Sequence, residues 1–90
     1  MSLRIQYPHD KPLEQARDLA EQVARQMKQE FGMEYAWDDD VLNFQRPGVS
    51  GQLTVAATEV VVEARLGFLL SALKPRIETE VRAFLRQHFG

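Results

Sequence analysis

The chain has 90 residues, 11 basic against 13 acidic, and a formal net charge of -2. That length builds one domain, residues 1–90, with a modest core and little stability to spare. The even charge, with bases spread from Arg4 to Arg86, lacks the basic stripe of a nucleic-acid binder, and the absence of cysteine excludes a disulfide framework and a thiol nucleophile.

Leu3, Ile5 and Tyr7 alternate with Arg4 and Gln6, the period of a half-buried strand closed by Pro8. No apolar leader is visible in Met1 to Asp10, and the longest apolar stretch, Leu66 to Leu73, is too short to span a bilayer. A cytoplasmic protein is therefore expected. Asp10 and Pro12 read as a helix start. From Leu13 the period lengthens: Leu13, Ala16, Ala20, Val23, Ala24, Met27 and Phe31 form one apolar stripe. Arg17, Glu21 and Arg25 lie on the opposite face, four apart, where they pair weakly. Gly32 occupies the expected C-terminal cap.

The period then returns to two. Met33, Tyr35 and Trp37 share one face, Asp38 to Asp40 form a turn, and Leu42 and Phe44 resume the core face. Arg46-Pro47-Gly48-Val49-Ser50-Gly51 reads as a breaker between strands. Leu53, Val55 and Ala57 form the core face of the next strand. After a turn near Thr58 and Glu59, the last strand carries Val60, Val62, Ala64 and Leu66. Gly67 separates it from a second helical stripe of Leu70, Leu73, Ile77, Val81, Phe84 and Leu85, interrupted by Pro75. A short turn over 68–74 and a main helix over 75–88 are expected, because proline disfavours a helical residue before it. The order β-α-β-β-β-β-α predicts an α+β fold: an antiparallel sheet with two helices packed on one face.

No residue set has the spacing of a catalytic or metal centre, and no cofactor motif is present. Three adjacent aspartates at 38–40 lack the spaced ligands of a calcium loop and read as a solvated turn. His9 beside Asp10 and His88 near the chain end read as surface or capping histidines. The 46–51 segment lacks the lysine of a phosphate loop.

Two apolar groups leave alternatives open. Phe68 lies off the second helical stripe and Leu69 at its edge. Both either pack beneath the sheet edge or first helix, or form an exposed patch for a dimer, lipid or polymer surface. Tyr35, Trp37, Phe44 and Phe84 either fill the core or line a cavity for a small acyl ligand.

Several features in order resemble the polyhydroxyalkanoic acid system (granule-region) proteins. They are His9 after the first strand, the helix through Ala16, Ala20 and Ala24, Trp37 and Phe44 around an acidic turn, Gly48-Val49-Ser50-Gly51, and Leu66-Gly67-Phe68-Leu69-Leu70 ahead of Leu73-Lys74 and Ile77-Glu78. The resemblance covers nearly the whole chain. It implies a non-enzymatic protein of the polyester-storage neighbourhood, with the granule or a granule protein as partner, and it supplies no catalytic residue. A ligand-binding module and a homodimer of structural role are the other readings.

Overall fold

A computed structural model describes residues 2–90. Strand β1 (Ser2–Pro8) leads to helix α1 (Leu13–Phe31), then to strands β2 (Glu34–Asp38), β3 (Val41–Arg46), β4 (Val49–Val55) and β5 (Glu59–Leu66). A single 3₁₀ turn, Ser71–Leu73, opens into helix α2 (Lys74–Phe89). The strands form one antiparallel sheet in the order β1-β5-β4-β3-β2, so β4 is central and β1 and β2 are the edges. Four consecutive strands pair with their chain neighbours, and β1 closes the sheet against β5 with Ile5 opposite Val62. This is the α+β architecture that the alternating periods predict.

The two-residue period puts Leu3 and Ile5, Leu42 and Phe44, Leu53 and Val55, and Val60, Val62, Ala64 and Leu66 on one buried face. Both helices cover that face. α1 lies against β4 and β2, and α2 against β1 and α1. Ala16, Ala20 and Ala24 on α1 are fully buried, and these small side chains let the helix approach the sheet closely. α2 contributes Val81, Phe84, Leu85 and Phe89. The opposite sheet face carries Arg4, Asn43, Gln45, Glu63 and Arg65 and is left to solvent. Gly32 ends α1 in the left-handed conformation at φ 69°, donating its N–H to the Lys28 carbonyl, as a C-terminal cap requires.

Several boundaries and exposures differ from the sequence reading: Asp38 belongs to β2 and Glu59 to β5, so both of those turns are shorter than expected. The breaker at 46–51 shrinks to the two-residue turn Pro47-Gly48, because Arg46 already pairs with Val49 and β4 starts there. Pro47 fixes the first turn position and Gly48 takes φ 87° at the second, the arrangement of a type II turn. Ala57 leaves the core face and is exposed, since β4 ends at Val55. Leu13 at the start of α1 and Leu73 just before α2 are 45% and 46% exposed, while Phe89, beyond the expected helix end, is buried.

Candidate functional site

Three groups of side chains stand apart from ordinary packing: an acidic knot on α1, an apolar cavity beneath α2, and an exposed apolar turn.

The knot centres on Glu21. Tyr35 and Trp37 alternate on β2, so both point toward α1. Their polar ends need partners when half-buried. The Tyr35 hydroxyl donates to Glu21 Oε2 at 2.6 Å, and the Trp37 indole N–H donates to Oε1 at 2.7 Å. Arg25 Nε donates to Oε2 at 3.0 Å. Arg17 pairs instead with the indole, its guanidinium carbon 4.8 Å from the ring centroid. Burial pushes the Glu21 carboxyl up, but the hydrogen bonds from Tyr35, Trp37 and Arg25 and the charge of Arg25 outweigh it, holding the carboxyl below its ordinary value. The Glu21 hydrogen bond also raises the Tyr35 phenol. The sequence placed Glu21 on a solvent face. The missed signal was two hydrogen-bond donors sharing one half-buried strand face.

This knot clamps β2 to α1. Glutamine at position 21 offers one acceptor oxygen where the carboxylate offers two, and the indole is a donor only. Glu21→Gln is expected to cost roughly 1 kcal/mol at neutral pH. The depressed folded-state pKa means this stability is present above the unfolded glutamate value, about 4.3, and is lost as pH falls through the lower folded value. Thermal melts should therefore show the gap between wild type and variant closing between pH 5 and the acid limit. A gap that persists at low pH refutes the assignment.

His9 is a structural bracket. Its backbone N–H donates to the Thr58 carbonyl at 2.9 Å. The Lys11 backbone N–H donates to Nδ1 at 3.1 Å, which places the ring proton on Nε2, 2.9 Å from the Ala56 carbonyl. The ring also packs on Phe89. It thereby pins the β4–β5 turn to the start of α1. His88 meets Gln26 Oε1 at 2.9 Å, tying α2 to α1. Asp39 sits at the β2–β3 turn with φ 54°, a conformation aspartate tolerates. Among the described residues no three acidic or histidine side chains gather as a metal site.

The cavity has a volume of about 190 Å³. Its walls include Met27, Met33, Phe44, Ala64, Leu70 and Ile77, and Arg46, Arg76 and Glu80 also line it. Of the four aromatic residues weighed as a ligand cage, Phe44 lines this space. Tyr35 and Trp37 belong to the Glu21 knot, and Phe84 packs its ring 6.1 Å from that of Phe31.

The exposed turn is built from residues 67–71. The Gly67 N–H donates to the Gly48 carbonyl at 2.7 Å, extending the β4–β5 ladder by one bond. The backbone N–H groups of Leu70 and Ser71 both donate to the Gly67 carbonyl at 3.0 Å, and the Ser71 hydroxyl donates to the Phe68 carbonyl at 2.8 Å. Phe68 and Leu69 occupy the two central positions of this fastened turn. They are 91% and 85% exposed, and half-exposed Leu73 follows close by in sequence. The structure thus takes the exposed alternative for both residues.

The molecule is a small α+β domain with one covered sheet face, an apolar cavity under its second helix and a fixed apolar turn beside it. A family model described as "putative polyhydroxyalkanoic acid system protein" matches residues 3–89, and the chain belongs to that family. No curated protein and no solved structure matches the chain. No helix among the described residues is long and apolar enough to cross a membrane.

Proposed function

We propose that the protein is a non-catalytic binder of the polyhydroxyalkanoate granule, acting in the cytoplasm and inserting Phe68 and Leu69 into the polyester surface. The observation that carries this reading is the near-complete exposure of two consecutive large apolar side chains in a member of a polyhydroxyalkanoic acid system family. Exposed apolar groups scattered singly need no explanation, but adjacent ones on a fastened turn do. Four hydrogen bonds hold the turn before any partner arrives. Little ordering is therefore left for the moment of binding, which favours affinity. A polyester surface offers ester dipoles among hydrocarbon and suits an apolar wedge without charge.

The test is co-sedimentation of the purified protein with isolated granules and, in parallel, with phospholipid vesicles. Pelleting with granules and not with vesicles supports the reading. Pelleting with both reduces it to a generic apolar surface, and pelleting with neither refutes it.

A further inference from the structure

Protein interiors pack with few voids larger than a water molecule. The space of about 190 Å³ under α2 is a partly open apolar pocket that the side chains around it leave unfilled. We infer that it is a binding site for one acyl chain bearing a carboxylate, its hydrocarbon among Met27, Met33 and Phe44 and its head at Arg46 and Arg76. This inference rests on the cavity alone and goes beyond the granule-surface reading.

Volume sets the chain length. A cavity of about 150 Å³ lined by aliphatic and aromatic groups takes a six-carbon ring, so this one suits about six to eight carbons. The walls set the chemistry. Met27, Met33, Phe44 and Ala64 are buried and apolar, offering no hydrogen-bond partner to a polar body. Polar side chains line the space from two elements. Arg46 ends β3 and spends one nitrogen on the Phe31 carbonyl at 2.5 Å. Arg76 stands in the first turn of α2 with its Nε 3.6 Å from Glu80. Two guanidinium groups against one carboxylate leave a net positive charge there, and a guanidinium fork matches a carboxylate in geometry. An apolar site with a few convergent polar groups is the usual form of a small-molecule site.

The ligand has two possible sources with the same chemistry: a free alkanoic or hydroxyalkanoic acid, or the carboxyl end of a polyester chain. Leu70 and Leu73, which line the cavity, belong to the segment that presents Phe68 and Leu69. The second source would thus meet the cavity next to the exposed turn.

Methyl NMR of the full chain, with carbon-13 in the methionine methyls, tests the site directly. Met27 and Met33 line the cavity. Octanoate is expected to shift both resonances saturably. Octanol, with the same chain and no charge, is expected to bind about tenfold more weakly, the value of one charge-assisted hydrogen bond. Arg46→Gln and Arg76→Gln should each weaken octanoate severalfold and leave octanol unchanged. Ala64→Leu, which fills the space, should abolish both. A short hydroxyalkanoate oligomer with a free carboxyl end, compared with its methyl ester, separates the sources: binding by the free-ended oligomer assigns the chain end, and its failure beside bound octanoate assigns the free acid. Methyls that stay still through millimolar octanoate overturn the site. Octanol binding as tightly as octanoate overturns the carboxylate head. Should Ala64→Leu fail to fold, xenon applied to the unaltered protein must shift the same two methyls and be displaced by octanoate, and failure of either overturns the proposal. No granules are present, so the outcome is independent of the sedimentation result.

Discussion

Gly51→Ala is expected to be the most destabilising single methyl that can be added to this sheet, costing about 3 kcal/mol or more. Gly51 lies in the central strand, opposite Phe44 of β3 on one side and Ala64 of β5 on the other. A β-carbon there would sit 2.2 Å from the Glu63 carbonyl oxygen, 2.8 Å from the Ala64 α-carbon and 2.9 Å from the Phe44 ring. Two of those three atoms are backbone and belong to a strand paired on both sides, so neither moves without breaking ladder bonds. Overpacking a core costs about 1–3 kcal/mol, and more where the obstacle is main chain. A domain of this size holds about 5–13 kcal/mol in all. Each kcal/mol lowers its midpoint by roughly 4–8 °C, so a cost of about 3 kcal/mol or more predicts a fall of at least about 12 °C in thermal melts followed by circular dichroism.

Two other glycines make this comparison decisive. At Gly67 the nearest atom to an added β-carbon is the Gly48 carbonyl oxygen at 3.4 Å, ordinary contact. At Gly32 the added carbon meets nothing, and only the left-handed φ of 69° opposes it. Gly67→Ala should therefore be near neutral, and Gly32→Ala should cost about 1 kcal/mol. If all three variants melt alike, the close approach at Gly51 is not what the glycine serves.

The fold was legible because its core obeys two clean periods. The α1 stripe, the β5 face and the change of period at Gly32 were all readable without coordinates, since each reflects one element facing one sheet. What was not legible depends on more than one element. Val49 looked like part of a breaker because Pro47, Gly48, Ser50 and Gly51 surround it, yet strand pairing reaches to the edge of a two-residue turn. Gly51 reads as turn chemistry and is in fact a point of close strand approach beneath Phe44. Glu21 read as a solvent charge because helical periodicity says which face a residue occupies, not which strand arrives beside that face. The cavity is less legible still. Its walls come from residues as far apart as Leu3 and Val81, and a volume left between elements has no local signature. The exposure of Phe68 and Leu69 was readable as a choice between two states, because Phe68 falls off the helical stripe and Leu69 lies at its edge. Settling it required the bonds that fasten Gly67 to Gly48 on one side and Ser71 to Phe68 on the other.

Phe68→Glu with Leu69→Glu is expected to abolish granule sedimentation and leave the melting temperature within about 2 °C of wild type, as surface substitutions do. The two expectations come from the same exposure. At 91% and 85% exposed, these side chains contribute almost nothing to the core, so removing them costs the fold little. Burying a Phe or Leu side chain in an apolar phase is worth about 1.5–3 kcal/mol each, so losing both weakens surface binding by roughly a hundred- to ten-thousandfold. A carboxylate in that position also opposes insertion, because a charge resists leaving water. Ser71→Ala separates the wedge from its fastening. It removes the hydroxyl bond to the Phe68 carbonyl and leaves both apolar side chains in place. Binding should then fall only severalfold, by about the net worth of one hydrogen bond, since the turn must be ordered on contact. A double variant that melts normally and still pellets with granules shows that some other surface holds the polymer. A double variant that melts much lower shows that Phe68 and Leu69 support the fold, and the wedge mechanism fails on that ground instead.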